Sequence, residues 1–389
     1  MSAVLLTCVG RRVDIVRAFG AAGATTVAVD VNPLAPALYA ADRHALVPPV
    51  ADAAYVPALA DLVAEHDVDL VVPLADTDQL VLAERRDELD ALVLLPPPDV
   101  VERTNDKYLA HVFFEEHGID SPPTWLPADA PAELEFPVLV KARFGFGSRN
   151  IFRAHDRAEL AFFLRYSPVE PMVQGVCAGA EFSLDVFGDV DGRCLNTIPR
   201  TMIESAGGES IKGMTIRDPE LVEVGRRVAE TLGIVGPATV QCFRTAPGRH
   251  EVTDVNLRFG GAFPLPLAAG SRYPELALAL ARGERPEPRL GEYREGVVMT
   301  RWLGETTLVR DGDGFAPLDH QAAARTEDEY PPRLDDEARD AAMAPAQDGA
   351  IASAGSDATA PGQEDPTGPA EDDATGPTDR ERRRTLLPE

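Results

Sequence analysis

Lysine is almost missing from this 389-residue chain. It occurs only as Lys107, Lys141 and Lys212, and the other 34 of its 37 basic residues are arginine. Cysteine is scarce too. Cys8, Cys177, Cys194 and Cys242 lie far apart with no CxxC pair, which excludes a zinc ribbon, a redox dithiol and a small disulfide scaffold. No apolar run reaches the length of a membrane span, and in MSAVLLTCVGRR the charges follow the apolar run, the reverse of a secretion signal. The expectation is a cytoplasmic protein with no membrane partner. Positive charge is also in short supply: 64 acids leave a net charge of −27, which argues against sequence-independent binding to a phosphate backbone, so no nucleic-acid partner is expected. Residues 321–389 carry 17 acids and 7 arginines, so the rest of the chain is acidic as well, as a solvating, halophile-like surface would be.

What the chain does have is enough apolar residues, 44%, for two or three domains with proper cores. The first hundred residues alternate short apolar runs (AVLLTCV, TTVAVDV, LVVPL, ALVLLP) with amphipathic stretches near 13–22 and 55–66, the rhythm of a parallel sheet covered by helices. The turn after the first run reads GRRVDI and not GxGxxG, which argues against a dinucleotide. Gly10, Arg11 and Arg12 make either an anion-binding helix start or a tight turn with exposed arginines. Asp30, Asp76 and Asp78 follow strands, where each serves either as a substrate contact or as a helix N-cap. From about Gln321 onward the composition predicts a disordered acidic tail.

The second region opens with a helix expected from about Asn105 to His117, closed by Gly118. After it, VLVKARFGFGSRN sets Lys141 on a strand before Gly145, Gly147 and Ser148, a loop of the kind whose backbone N–H groups meet anionic oxygens. A plain hairpin explains it equally well. ESAGGESIKG, with Lys212, reads as a mobile loop. The strands VQCFR and HEVTDVN add Gln241, Asp254, Asn256 and Arg258, and alternation places the last three on one face. An oxygen-rich set with an arginine suits Mg²⁺ beside a polyphosphate, and an exposed polar sheet face is the bland alternative. His111 and His117 are six apart on one helix and do not form a metal pair.

In series and spacing these motifs resemble the ATP-grasp superfamily, and within it the branch similar to the carbamoyl phosphate synthase large chain. The resemblance covers about residues 1–310. It implies an α/β (α+β) chain: a Rossmann-like pre-ATP-grasp domain (1–100), an ATP-grasp N-terminal subdomain with the phosphate loop (101–170), a C-terminal subdomain with the metal site (171–320), then the tail (321–389). It implies ATP contacts at Lys107, Lys141, Gly145, Gly147 and Ser148, adenine against the backbone of Gln174, Gly175 and Val176, and ribose on Glu181. Gln241, Asp254 and Asn256 become ligands of Mg²⁺ (or Mn²⁺), with Arg258 as the phosphate clamp and Lys141 beside it in the chemistry; Lys212, with Arg200 nearby in sequence, is expected over the triphosphate or the acceptor substrate. Gln174 stands where glutamate often faces the nucleotide, Asp254 where glutamate is usual, and Gln241 is neutral.

The implied reaction is ATP-dependent activation of a small-molecule carboxylate as an acyl phosphate, which an amine or similar nucleophile attacks. The alternatives are phosphorylation of bicarbonate or carbamate, against which the single ATP-grasp unit speaks, and a non-catalytic ATP-binding regulator. Small-molecule acid and amine are the expected partners, and a homodimer is compatible with the resemblance.

Overall fold

The computed structural model describes residues 2–145, 150–206, 209–312 and 314–318. Gly147, Ser148 and the tail 321–389, expected to be phosphate-loop residues and disordered respectively, lie outside the described residues.

Strand β1 (Ala3–Thr7) is buried along its whole length, as a central parallel strand with both faces covered must be. Its side chains alternate: Val4 and Leu6 join the core with Ile15, Val16 and Phe19 of α1 (Val13–Ala21), while Ala3 and Leu5 join the core with the next long helix. Beyond α1 come β2 (Thr25–Asp30), β3 (Arg43–Leu46), α2 (Tyr55–Glu65), β4 (Val68–Pro73), α3 (Gln79–Glu84) and the short β5 (Leu92–Val93). The five strands form one parallel sheet in the order β3-β2-β1-β4-β5.

The helix expected over 105–117 is present from Lys107 to Glu116, and a second helix precedes it. Helix α4 (Pro98–Asn105) ends where α5 (Lys107–Glu116) begins, because extended Asp106 caps α5 by accepting from the N–H groups of Tyr108 and Leu109. Gly118, with φ +65°, closes α5 as expected. A four-stranded sheet then forms from β6 (Thr124–Trp125), β7 (Val138–Ala142), β8 (Ile151–Ala154) and, after α6 (Arg157–Tyr166), β9 (Pro171–Gly175), in the order β6-β9-β7-β8. Val138, Val140, Ala154 and Val173 pack one face of it against Leu160 of α6. Lys141 is paired with Ile151 and Met172, so these three project from the other face.

The remaining strands make a six-stranded sheet in the order β14-β13-β10-β11-β12-β15, with every pairing antiparallel. Its members are β10 (Ala180–Gly188), β11 (Cys194–Ala206), β12 (Glu209–Thr215), β13 (Gly236–Ala246), β14 (Arg249–Asn256) and β15 (Val298–Thr300). Helix α7 (Pro219–Leu232) covers one face with Leu221, Val228, Ala229 and Leu232. Its ends are well specified: Asp218 caps the first turn, Pro219 opens it, and Gly233 at φ +70° supplies the left-handed stop. Helices α8 (Pro264–Ala268) and α9 (Tyr273–Ala281) and the hairpin β16 (Leu308–Asp311) and β17 (Gly314–Pro317) complete the described chain. One finding revises an expectation. The ESAGGESIKG segment is not a free loop, since its described residues belong to the β11–β12 hairpin and Lys212 is a strand residue opposite Glu204.

The parallel sheet and the six-stranded sheet share their cores. Phe19 packs edge-on to Phe259 at 6.0 Å, and buried Gln79 donates to the carbonyl of Leu257 at 2.8 Å. This seam brings the carboxyl ends of β1 and β4 up to the end of β14.

Candidate functional site

Three elements deliver the charged groups. Lys107 opens α5, and its Nζ lies 2.7 Å from Asp254 Oδ1 on β14. Lys141 on β7 is 8% exposed, and its Nζ donates to the carbonyl of Thr253 at 3.4 Å. Arg143, two residues on, holds β7 against α5: it grips Asp106 through Nε and Nη2 (3.0 and 2.6 Å) and Glu170 through Nη1 at 2.8 Å. The clamp explains how two lysines 34 positions apart in sequence come to face one carboxylate.

Electrostatics follow from that crowding. Burial pushes the Lys141 ammonium down from 10.5 to about 8; Asp254 resists the fall and Lys107 adds to it. Burial alone would push Asp254 up, but the Lys107 and Lys141 ammonium groups outweigh it and hold the carboxyl below its usual range. A carboxylate between two ammoniums, one of them nearly desolvated, leaves an excess of positive charge, the condition an anionic ligand relieves.

From Asp254 a chain of polar contacts runs along β14 and past its end. Asn256 Nδ2 donates to Asp254 Oδ2 at 3.5 Å, Arg258 Nη2 to Asn256 Oδ1 at 3.4 Å, and Arg258 Nε to Asp76 Oδ2 at 3.1 Å. Across the sheet Gln241 pairs with Asp254 and donates from Nε2 to Glu181 Oε1 at 3.5 Å. Burial raises the Glu181 carboxyl, and Arg200 opposes the rise. Asp254, Asn256, Gln241, Glu181 and Arg258 are thus brought together, with Lys107 and Lys141 on the same side.

Other expected residues stand apart. Gln174 is buried, and its Nε2 donates to Thr124 Oγ1 at 2.9 Å; the N–H of Gly175 goes to the carbonyl of Pro123 at 2.8 Å. Val176 is the first of the three beyond strand β9. Gly145 takes φ +120°, a backbone that favours glycine, at the threshold of residues 146–149. Lys212 pairs with Glu204 at 2.5 Å and is exposed, and no contact joins it to Lys107, Lys141 or Asp254 among the described residues. A small cavity beside Lys107, His111, Ser121, Gln174 and Asp254 holds about 10 Å³, room for one water and not for a ligand.

At the parallel-sheet end, Asp30 accepts from the N–H groups of Gly10 and Asn32, both at 2.8 Å, and so shapes the turn after β1. Asp78 is fully buried, held by Thr7 and Tyr55 hydroxyls at 2.5 and 2.9 Å, and caps no helix with its side chain. Arg12 turns inward to the carbonyls of Phe259 and Gly260 at 2.9 and 3.0 Å. His111 meets Ser121 and His117 meets the Phe113 carbonyl, so neither joins a metal set. Asp76 was a candidate from its place after a strand, but its pairing with Arg258, like the Thr253 and Asp106 contacts, joins distant parts of the chain and was not readable beforehand.

A parallel-sheet domain leading into two antiparallel sheets, with lysines from one set against a carboxylate of the other, is the arrangement of the ATP-grasp fold. Comparison with known proteins agrees. Residues 4–94 match the family model for the PylC-like N-terminal domain, and residues 167–303 match the family described as ATP-grasp in the biosynthetic pathway with Ter operon. Both matches agree with the ATP-grasp resemblance that the motifs carry. It is 26% identical over 243 residues to the carbamoyl phosphate synthase large chain of Methanospirillum hungatei, an alignment covering 57% of this chain and 22% of that protein. The chain therefore spans about a fifth of that relative's length. Among solved structures, biotin carboxylase from Campylobacter jejuni in complex with an ATP analogue superimposes with TM-score 0.62 at 15% identity, over 75% of this chain and 73% of that one. L-amino acid ligase from Bacillus licheniformis gives 0.60 at 18% identity, over 80% and 82%.

Proposed function

We propose that this protein is an ATP-dependent ligase that activates a small-molecule carboxylate as an acyl phosphate and passes the acyl group to an amine or similar nucleophile. The observation that carries the reading is the Lys107–Asp254–Lys141 cluster, continued through Asn256 to Arg258. In it the lysines bind the ATP phosphates and Glu181 holds the ribose. The division at about 100, 170 and 320 is part of the same proposal, as is action in the cytoplasm.

Mg²⁺ fits the donors present. Asp254, Asn256 and Gln241 offer hard oxygens but a single carboxylate, and this cation takes one or two protein carboxylates with phosphate and water completing its shell. When bound it supplies charge neutralisation and alignment of the phosphates. The protein groups do the rest. The substrate carboxylate attacks the γ-phosphorus, the β,γ-bridging bond breaks, and ADP leaves. Arg258 neutralises charge spread over the transferred group, and Asp76 fixes its guanidinium from below. The amine then attacks the acyl carbon, inorganic phosphate leaves, and the amine proton passes to solvent.

The neutral Gln241, whose amide is turned to Glu181, favours one rival: a protein that binds ATP without turnover. One assay separates them. ADP and phosphate release is measured with pooled amino acids and carboxylic acids, with and without Mg²⁺, for the wild type and for Lys141→Ala and Asp254→Ala. Release stimulated by one pool and lost in both variants supports the ligase; ATP binding with no release under any pool, bicarbonate included, overturns it.

A further inference from the structure

The register of the six-stranded sheet sets Asp254, Gln241, Ser183, Arg200 and Thr215 in one row, so Arg200 shares a face with the proposed metal and phosphate groups. It is 3% exposed. Its Nε donates to Asp185 Oδ2 at 2.8 Å, and its terminal Nη1 is shut off from solvent with no acceptor. An arginine buried with an unsatisfied fork is costly, and such a group calls for a partner that the protein itself does not provide.

The surroundings indicate the partner's charge. Asp185 Oδ1 lies beside the turn at Gly260, so close that a side-chain carbon there would sit 3.1 Å from it and 2.5 Å from Thr239 Oγ1. On the same turn Arg12 donates to the Phe259 and Gly260 carbonyls, Arg258 to Phe259 at 3.5 Å, and Arg301 to Gly261 at 3.1 Å. The N–H groups of Gly260 and Gly261 donate to no protein acceptor among the described residues. Three arginines, Arg12, Arg258 and Arg301, thus converge on Phe259, Gly260 and Gly261, and Arg200 lies across Asp185 from them, with Asp14, Asp76 and Glu181 also facing the group. Glycine at 260 and 261 keeps the turn free of side chains.

We infer that the acid this protein activates carries a second anionic group, and that Arg200 is the residue that reads it. The inference rests on the ligase reading above. Arg258 then serves the phosphoryl group in transfer, while Arg200 and the Gly260–Gly261 N–H groups hold the far end of the acceptor, so that a monoacid of equal length leaves the fork empty.

The test uses the full chain saturated with Mg²⁺ and a non-hydrolysable ATP analogue, titrated calorimetrically with glutarate, succinate, butyrate and acetate. Expected is a dicarboxylate preference of about tenfold or more, as charge-assisted recognition gives. Arg200→Gln removes the preference and Arg200→Lys keeps part of it, while affinity for the nucleotide stays within about twofold. Arg301→Gln, at a less buried site, weakens dicarboxylates and spares monocarboxylates, which keeps the idea testable if the Arg200 variants do not fold. Equal binding of mono- and dicarboxylates, or a preference that survives Arg200→Gln, overturns the inference. Failure of the nucleotide itself to bind overturns the ligase reading instead.

Discussion

Lys107 Nζ stands 2.7 Å from Asp254 Oδ1, a pair closed across 147 residues of chain. At 13% and 18% exposed the two side chains are largely buried, so removing one alone leaves the other charge poorly solvated. Their value lies in what each does when a ligand arrives. The pair stores a carboxylate in its charged state and an ammonium in a fixed place, and binding of a metal–polyphosphate exchanges the partners without uncovering a bare charge.

Lys107→Ala is therefore expected to weaken Mg·ATP about tenfold or more, and Asp254→Asn to abolish the dependence of ADP release on Mg²⁺ while metal-free ATP still binds. The double substitution is expected to cost less in binding than the two single losses summed, since the groups act as one unit. Calorimetric titration of the four proteins, with and without metal, checks this. Additive losses refute the coupling.

Lys141 predicts a pH dependence. Its folded pKa of about 8 is below the ordinary 10.5, so between these values the unfolded chain binds the extra proton and stability rises with pH. Its charged form is thus a liability at neutral pH. Lys141→Met is expected to raise the melting temperature at pH 7, with the gap narrowing toward pH 10 and above. Nucleotide affinity runs the opposite way: binding a polyphosphate needs the ammonium, so wild-type affinity falls as pH rises above about 8, with proton uptake on binding. A melting-temperature series and buffer-dependent binding enthalpies read the two effects separately.

How far the sequence carried this picture varies by residue. The parallel sheet and the Asp254–Asn256–Arg258 run were legible, because period-2 and period-3.6 patterns and same-strand spacing are local properties. The second role of Asp106 was not, since beside its local cap on Tyr108 and Leu109 it takes Arg143 from 37 residues away. Lys212 shows the same limit. A segment read as a loop contributes Lys212 to a strand, set there by pairing with Glu204 and Thr300. Gln174 could not be seen turning to Thr124, nor Arg200 facing the site, because both depend on which strand lies alongside.

Asp76 is the carboxylate behind Arg258, 3.1 Å from Nε and contributed by the segment after β4. Removing it frees the guanidinium to swing without removing it from the site. Asp76→Ala is expected to leave Mg·ATP affinity within about twofold and to cut ADP release about tenfold or more, an effect on turnover and not on nucleotide binding. Arg258→Lys, which keeps charge but loses the fork, is expected to fall at least as far. Equal losses in affinity and turnover for Asp76→Ala point to collapse of the seam between the sheets, and then the positioning role is wrong.

Gly225 tests the packing of α7 on the six-stranded sheet. Helix α7 crosses β11 so closely there that an added methyl would sit 2.4 Å from Thr197 Cγ2 and 3.2 Å from Val186 Cγ1. Gly225→Ala is usually favourable inside a helix, by roughly 1 kcal/mol of propensity. Overpacking of a close core contact costs about 1–3 kcal/mol, so the crowding wins and the variant is expected to be less stable. Thr197→Ser removes the offending methyl and keeps the hydroxyl, which meets Cys194 Sγ at 3.3 Å. Combined with Gly225→Ala it is expected to recover most of the loss, and denaturant midpoints of the wild type, both single variants and the double variant decide the matter. A stabilising Gly225→Ala means the helix rides higher on the sheet than these distances allow.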